Sequence, residues 1–251
     1  MDPRLAGYRA VLFDLDGVLT DTAGIHSRCW KEMFDEYLRE RAARLGEAFV
    51  EFDITDYLRY VDGKPRYDGV RSFLASRDIT LPDGDPSDPP GADTICGLGN
   101  RKNALLREVL ARDGVEPYPG SLRLLDELAA AGVHMAVVSS SKNTPGVLAA
   151  AGISDRFEAV VDGSVAARRG LRGKPAPDTF LYAAQRLGVA REDAVVVEDA
   201  LSGVAAGRNG KFGLVIGVAR ESNDEALKAA GADLVVTGLG ELAGENAGRG
   251  E

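Results

Sequence analysis

Six short apolar runs, separated by helical patterns, constrain the fold of this chain more than any other feature. Most of the runs are rich in valine and apolar throughout, which is typical of parallel strands that are covered on both faces. Gly132, Gly152, Gly188 and Gly231 follow most of the helical patterns, where they act as helix stop signals. The alternation predicts an α/β fold with a doubly wound, mostly parallel sheet. The six runs are Ala10–Phe13, Val133–Val138, Phe157–Val161, Ala194–Val197, Gly213–Val218 and Asp233–Val236.

The stretch of residues 23–113 breaks this alternation because it contains no valine-rich run. Apolar residues between Ile25 and Leu38 recur at helical spacing, and we interpret this stripe as helix-packing core rather than as a cofactor site. The chain is therefore predicted to have an α/β core, residues 1–22 and 114–251, interrupted by a helical domain of residues 23–113. Further helices of this domain are predicted at about 53–61, 67–77 and 100–112.

The composition argues against several classes of protein. Of the 251 residues, 45% are hydrophobic, which suffices for a buried core. The net charge is −9 and no basic stripe occurs, so nucleic acid is not an expected partner. No apolar run reaches membrane-spanning length, and Cys29 and Cys96 fit neither a disulfide framework nor a metal site. We expect a monomeric cytoplasmic protein with no membrane or nucleic-acid partner.

Two carboxylates stand at the end of the first apolar run. Asp14 and Asp16 are separated by one residue, and Gly17 follows them. Side chains two positions apart on a strand point the same way, so both carboxylates can reach one small site. Two anions this close repel each other unless a cation or a shared proton holds them. A divalent ion with oxygen ligands is the simplest arrangement that satisfies both.

Three further polar groups stand close to predicted strand ends or helix starts. They are Ser139–Asn143 after the second run, Lys174 before the helix that begins near Asp178, and Glu198–Asp199 after the fourth run. Ligands of open α/β sheets bind outside the carboxyl ends of the strands, so all of these groups are expected at one edge. Each group alone has an ordinary explanation as a turn, a helix N-cap or a solvated charge. Their joint occurrence favours a catalytic site.

Phosphoryl transfer would use each of these groups. A carboxylate nucleophile can approach a phosphate monoester, with its roughly two negative charges, only when that charge is masked. Asp14, the main-chain carbonyl of Asp16 and Asp199 would hold Mg²⁺ for this purpose, and Lys174 would neutralise further charge. Asp14 would form an aspartyl phosphate while Asp16 protonates the departing sugar oxygen. Ser139 and nearby backbone N–H groups would hold phosphate oxygens.

Together these residues resemble the four motifs of the haloacid dehalogenase superfamily of phosphotransferases. The matching segments are Asp14-Leu-Asp16-Gly-Val, Ser139, Lys174 and Glu198-Asp199, and the resemblance covers almost the whole chain. It implies Mg²⁺ as the cofactor and a metal site built from Asp14, Asp16, Glu198 and Asp199. It also implies a small-molecule sugar phosphate as the substrate, and a mobile cap domain formed by the helical insertion.

Finer matches resemble the β-phosphoglucomutase-like subfamily. Thr22 and His26 match that subfamily's linker between the first motif and the cap, which implies a catalytic role for both; His26 would couple cap closure to the orientation of Asp16. The cap loop departs from the subfamily pattern at Asp62, where a lysine is expected, and at Gly69, where a serine is expected. The implied substrate-binding residues are Gly63, Arg66, Lys102, Asn103, Ser140, Ser141, Lys142 and Asn143.

Three functions remain open on the sequence. The resemblance favours a phosphotransferase that isomerises β-glucose 1-phosphate to glucose 6-phosphate through the 1,6-bisphosphate. A sugar-phosphate phosphatase would share the aspartyl phosphate and would differ in letting water attack it. A non-catalytic phospho-acceptor, such as a signalling receiver domain, or a binding protein is the third. Receiver domains are shorter and need no cap, so the helical insertion argues against that form of the third function.

Overall fold

Six parallel strands form a single sheet in the computed structural model of the chain, which describes residues 2–220 and 223–244. The sheet order is β3-β2-β1-β4-β5-β6, and every neighbouring pair is parallel. The predicted doubly wound α/β fold is confirmed, and each predicted strand is present. The strands are β1 Ala10–Phe13, β2 His134–Val138, β3 Ala159–Val161, β4 Ala194–Glu198, β5 Leu214–Val218 and β6 Leu234–Val236.

The order of the strands reverses at the contact between β1 and β4. Phe13 of β1 lies opposite Val137 of β2 on one side and opposite Val197 of β4 on the other. The chain runs outward from β1 to β3, returns to β4, and then runs outward again to β6. In open α/β sheets, ligands bind at this kind of switch point, outside the carboxyl ends of the strands. The residues after Phe13 and Val197 therefore lie where a site is expected.

Helices α5 to α10 connect the strands and cover the sheet. Leu12 of β1 packs in one core cluster with Phe180 of α8 and Val204 of α9. The next residue, Phe13, points to the opposite face and is also fully buried, so both faces of the sheet are covered. Among the described helices, none is long and apolar enough to cross a membrane. The connecting helices are α5 Pro119–Ala130, α6 Thr144–Ala150, α7 Gly163–Arg169, α8 Asp178–Leu187, α9 Leu201–Gly210 and α10 Asp224–Ala230.

The chain divides into two compact units. Unit 1 contains the sheet and consists of Met1–Asp21 and Val115–Glu251, and unit 2 is Thr22–Gly114. An aromatic group forms the core of unit 2, where the Phe34 ring lies 5.4 Å from Trp30 and 4.3 Å from Phe73, between ring centroids. The apolar stripe predicted for the first helix of this unit lies in that core from Trp30 to Leu38. Unit 2 contains α1 Ala23–Leu45, α2 Ile54–Asp56, a π-helical turn Tyr57–Val61, α3 Arg66–Ser76 and α4 Ile95–Asp113.

The start of α4 and the presence of α7 differ from the prediction. Helix α4 starts at Ile95 rather than near residue 100, because the Thr94 hydroxyl accepts a hydrogen bond from the backbone N–H of Gly97 at 2.9 Å and caps the helix. Two glycines in its first turns concealed this start in the sequence. Helix α7 was not predicted; the Asp162 carboxylate caps it by accepting from the Val165 N–H at 2.7 Å.

Candidate active site

Asp14 directly follows β1, at the edge of the sheet where ligands of such folds bind. Its backbone N–H donates to the carbonyl of Val197 at 2.9 Å, which continues the pairing of β1 with β4 by one residue. The residue is 7% exposed. Burial raises the pKa of its carboxyl group, and Lys174 opposes that change. The end of the strand therefore holds this carboxylate inside the site rather than in solvent.

Lys174 reaches Asp14 from the loop that precedes α8. Its ammonium donates to Asp14 Oδ1 at 2.6 Å and to the carbonyl of Val138 at 3.0 Å, and it forms an ion pair with Glu198. The side chain is 1% exposed. Burial alone would lower its pKa, but Asp14 and Glu198 raise the pKa well above the usual value. Lys174 is therefore a permanent cation beside the Asp14 carboxylate.

Glu198 is the last residue of β4 and is fully buried. Its Oε2 accepts a hydrogen bond from the backbone N–H of Ala200 at 3.2 Å, and its carboxylate contacts the Lys174 ammonium. Burial raises the pKa of Glu198, Lys174 opposes the shift, and Asp14 adds to it. A Cβ atom on Gly203 of α9 would lie well under 3.0 Å from this carboxylate. The glycine therefore lets α9 pack directly on Glu198.

Three carboxylates converge beside Lys174. One oxygen each of Asp14, Glu198 and Asp199 lie within 4.8 Å of one another. Carboxylate oxygens suit a hard divalent cation such as Mg²⁺. With all three groups ionised, the three carboxylates and one ammonium carry a net charge of −2, which a divalent cation would balance. The residues present therefore fit Mg²⁺ in donor type and charge. Among the described residues, the Asp16 carboxylate is not part of this group, which leaves its main-chain carbonyl as the predicted donor.

The serine-rich segment after β2 folds into one compact turn. Ser139 is 4% exposed, and its hydroxyl accepts from the N–H of Ser141 at 3.1 Å. The hydroxyl of Ser141 accepts in turn from the N–H of Asn143 at 3.1 Å. Ser140 is partly exposed and Lys142 is exposed. All five predicted residues of this segment thus lie between β2 and α6, where hydroxyl, amide and ammonium donors suit an anion.

Asp16 lies in the turn that follows β1. Gly17 has φ +83°, a conformation that favours glycine, and its N–H donates to the carbonyl of Thr20 at 2.9 Å. Arg220, from the loop after β5, donates through Nε to the carbonyl of Gly17. Sequence reasoning missed Arg220, since it stands in none of the motifs and lies 203 positions from its partner.

Lys102 and His26 form a close pair in unit 2. Lys102 is 4% exposed, and its Nζ lies 3.1 Å from His26 Nδ1 and 5.1 Å from the centroid of the Trp30 ring. Burial and the positive charge of Lys102 lower the pKa of His26 well below its usual value. The imidazole is therefore neutral near pH 7, and its Nδ1 can accept from the ammonium. Thr22, which precedes α1, is fully buried, and its carbonyl accepts from the His26 N–H at 2.9 Å.

The other predicted substrate-binding residues of unit 2 lie on or near α3 and α4. Gly63, in the loop before α3, has φ +70°. Arg66 is the first residue of α3, and its guanidinium lies 5.0 Å from the centroid of the Tyr67 ring. Asn103 follows Lys102 on α4 and is partly exposed. Arg66 and Asn103 offer cationic and amide donors of the kind that bind phosphate.

The two departures of the cap loop have different structural settings. A Cβ atom on Gly69 would lie 3.2 Å from Val61 and 3.6 Å from Trp30, so a larger residue would crowd the core of unit 2. Asp62 is partly exposed. Nearby, Lys64 donates to the Ser72 hydroxyl at 2.9 Å, and burial lowers the pKa of this lysine. A side-chain ammonium is thus present in the loop, two residues from the expected position.

Comparisons with known proteins find similarity over most of the chain. The family model of the haloacid dehalogenase-like hydrolases matches residues 8–211. A β-phosphoglucomutase from Mycobacterium bovis is 56% identical over 238 residues, which cover 93% of this chain and 91% of that protein. Hexitol phosphatase A from Escherichia coli is 32% identical over 199 residues, which cover 79% of this chain and 78% of that enzyme. A crystal structure of β-phosphoglucomutase from Clostridium difficile superposes with a TM-score of 0.72 at 25% identity, covering 94% of this chain and 93% of that one.

Proposed function

Because the chain belongs to the haloacid dehalogenase-like hydrolase family, we propose that it is a Mg²⁺-dependent phosphotransferase that acts on sugar phosphates through an aspartyl phosphate. The favoured reaction is that of β-phosphoglucomutase, the conversion of β-glucose 1-phosphate to glucose 6-phosphate through the 1,6-bisphosphate. The observation that carries this proposal is the 56% identity, over nearly the full length of both chains, to a β-phosphoglucomutase.

The contacts of unit 1 support a division of labour in the first step. Asp14 is the proposed nucleophile: its carboxylate forms a bond to phosphorus while the bond from phosphorus to the sugar oxygen breaks. Lys174 lies 2.6 Å from Asp14 Oδ1 and neutralises charge as the phosphate approaches. Glu198 holds the Lys174 ammonium in place. Asp16 gives its proton to the departing sugar oxygen.

Mg²⁺ would be held by Asp14, Asp199 and the main-chain carbonyl of Asp16, with Glu198 beside them, and would neutralise phosphate charge when bound. The turn after β2 would hold phosphate oxygens through Ser139, whose side chain is buried at the end of the strand. Ser140, Ser141, Lys142 and Asn143 would bind other parts of the substrate from the same turn.

Residues of unit 2 are proposed to bind the rest of the substrate. Lys102 and Arg66 supply cationic groups for a phosphate that is not being transferred, and Gly63 and Asn103 supply a backbone and an amide donor. The neutral His26 accepts from Lys102 and thereby directs this ammonium.

In the second step, the phosphoryl group of the aspartyl phosphate passes to an acceptor hydroxyl, from which Asp16 takes the proton. A sugar acceptor makes the enzyme a mutase, and water makes it a phosphatase. Phosphatase activity is the second candidate, favoured by the similarity to hexitol phosphatase A, but at 32% against 56% identity it is the weaker one.

Product analysis distinguishes the two outcomes. The enzyme is incubated with Mg²⁺, β-glucose 1-phosphate and a small amount of β-glucose 1,6-bisphosphate, and glucose 6-phosphate and inorganic phosphate are measured in parallel. A mutase forms glucose 6-phosphate with little phosphate release, and the bisphosphate accelerates it. Stoichiometric phosphate release with no isomer would refute the mutase proposal and leave the phosphatase.

Labelling tests the shared nucleophile. Asp14→Asn removes the attacking oxygen anion but keeps the size of the side chain, so a ³²P-labelled phosphoryl donor should no longer label the protein. Retained labelling would mean that another residue is the nucleophile. A cytoplasmic, monomeric protein is part of the same proposal, and size-exclusion chromatography with light scattering tests the second half of it.

A further inference from the structure

Three consecutive carbonyls after Asp16 are each held by a different donor of unit 1. The carbonyl of Gly17 accepts from Arg220 Nε, and that of Val18 accepts from the hydroxyl of Ser121 at 2.8 Å. The carbonyl of Leu19 accepts from the backbone N–H of Tyr118 at 2.9 Å. The turn that carries Asp16 is thus fixed from outside rather than by its own hydrogen bonds alone.

Of these three donors, Arg220 acts closest to Asp16 and is the charged one. A hydrogen bond from a guanidinium to a carbonyl is stronger than one from a neutral donor. The bonded carbonyl belongs to Gly17, the residue next to Asp16, and the left-handed φ of +83° at Gly17 sets the direction in which the chain leaves Asp16. The bond to that carbonyl therefore limits rotation of the backbone at Gly17, directly after Asp16.

The guanidinium of Arg220 is itself placed by two other contacts. Its central carbon lies over the Tyr118 ring, 4.0 Å from the ring centroid, which is a cation–π contact. One of its terminal nitrogens, Nη1, lies 3.5 Å from the carbonyl of Thr237, a long contact. The Tyr118 ring is held in turn, because its hydroxyl donates to Asp21 Oδ1 at 2.9 Å. Arg220 thus contacts the Tyr118 ring and donates a hydrogen bond to the turn that carries Asp16.

We propose that Arg220 is a positioning residue for the general acid Asp16: its bond to the Gly17 carbonyl holds the turn so that the Asp16 carboxyl can pass its proton to the departing sugar oxygen. Arg220 does not touch the reacting atoms in this proposal and acts through the turn. The inference rests on the proposed function, because it assigns Asp16 the acid role given there.

A consequence of this role is that the effect of Arg220 depends on the leaving group. A sugar oxygen departs as an alkoxide unless a proton reaches it, so its departure needs a well-placed acid. The acetate released from acetyl phosphate departs as a stable anion and needs no proton. Both donors phosphorylate Asp14 in the same way. Loss of Arg220 should therefore slow phosphorylation by the sugar bisphosphate and leave phosphorylation by acetyl phosphate nearly unchanged.

The experiment measures the rate of aspartyl-phosphate formation by rapid quench, with ³²P-labelled β-glucose 1,6-bisphosphate and ³²P-labelled acetyl phosphate as the two donors. Arg220→Met removes the donor and keeps a chain of similar length. Arg168→Met is the matched control, because Arg168 is an exposed arginine of α7 outside the site. Arg220→Lys keeps the charge and a donor nitrogen but loses the planar guanidinium that lies over the Tyr118 ring. Tyr118→Leu removes the aromatic ring that contacts Arg220 and leaves Arg220 in place.

For Arg220→Met we expect the rate with the bisphosphate to fall about 30-fold, within the range of a misplaced general acid, and the rate with acetyl phosphate to change less than about threefold. Arg220→Lys and Tyr118→Leu should give intermediate losses with the bisphosphate, and Arg168→Met should match the wild type. An equal loss with both donors, or no loss with either, would overturn the proposal. If Arg220→Met does not fold, as judged by circular dichroism, the ratio of the two rates in Arg220→Lys decides.

Failure of this inference is distinguishable from failure of the proposed function. If the wild-type enzyme is labelled by neither donor, the phosphotransferase function itself is wrong. If both donors label the wild type and the ratio of the two rates stays constant across the variants, the function stands and Arg220 has no role through Asp16.

Discussion

Replacing Gly203 by alanine tests the buried ion pair of Lys174 and Glu198 without mutating either partner. Gly203 lies in the first turn of α9, and a Cβ there would overlap the Glu198 carboxylate, well under 3.0 Å from it. Glu198 is fully buried, so its carboxylate can yield only by leaving the Lys174 ammonium and the Ala200 N–H. One added methyl group should therefore separate the partners without changing either of them.

The size of the effect follows from three contributions. Alanine in place of glycine in a helix favours folding by about 0.5–1 kcal/mol. Overpacking of a buried site opposes this by about 1–3 kcal/mol, and loosening a buried ion pair costs up to about 3–5 kcal/mol when one partner is lost entirely. If the ion pair is only partly loosened, the two destabilising contributions exceed the helix contribution by about 3 kcal/mol. We therefore expect the free energy of unfolding of unit 1 to decrease by about this amount. For a unit of this size the corresponding decrease in Tm is about 6–12 °C.

Activity should fall as well, because Lys174 loses the carboxylate that holds it beside Asp14. A displaced catalytic group lowers kcat by about 10- to 100-fold, and KM should change less. Differential scanning calorimetry and steady-state kinetics measure the two effects. The matched control is Gly146→Ala in α6, a helix position where an added Cβ meets nothing within 4 Å and where alanine should raise Tm slightly. A Gly203→Ala enzyme with the Tm and kcat of the wild type would refute the placement of Glu198 against α9.

Two further predictions concern charge. Chelation by EDTA should abolish turnover, and added Mg²⁺ should restore it; full activity in EDTA would contradict the metal assignment. Asp199→Asn should raise the Mg²⁺ concentration needed for half-maximal rate, because it removes one of three converging carboxylates. Lys102→Met should raise the pKa of His26, measured by NMR titration of its ring protons, because a cation 3.1 Å away disfavours the imidazolium. The pKa should remain below its usual value, since burial persists, and the other histidine, His134, serves as the internal reference. An unchanged His26 pKa would mean that burial alone causes the depression.

The strands and the residues at their ends were predictable from the sequence. A parallel strand that is covered on both faces must be apolar throughout, so β1 and β4 appear as uninterrupted runs. Polar residues directly after such runs have no place in the core, and the topology of an open α/β sheet brings them to one edge. Asp14 and Glu198 were found in this way although 184 positions separate them.

Contacts that depend on the approach of distant elements were not predictable. Gly203 and Arg220 belong to no motif, and their roles follow from where α9 and the loop after β5 meet other parts of unit 1. The start of α4 was missed for a related reason: local propensity disfavours a helix in a glycine-containing segment, and the cap at Thr94 overrides it. A single sequence reports the local conformational preference of each segment. It does not report which distant residues will contact that segment and stabilise one of two conformations of similar energy.

The charges around Lys174 couple the binding of a phosphate group to the binding of a cation. Asp14 and Glu198 share one ammonium, and Asp199 adds a third carboxylate. A phosphate group brings roughly two further negative charges into this partly desolvated group, where uncompensated charge is costly. Lys174 cannot compensate them all, because both of its carboxylate partners already use it. Under the proposed function, binding of the phosphate and of a divalent cation should therefore favour each other, and by linkage each should raise the affinity of the site for the other by the same factor. The buried lysine would then make the site dependent on a cation for its substrate rather than replace one.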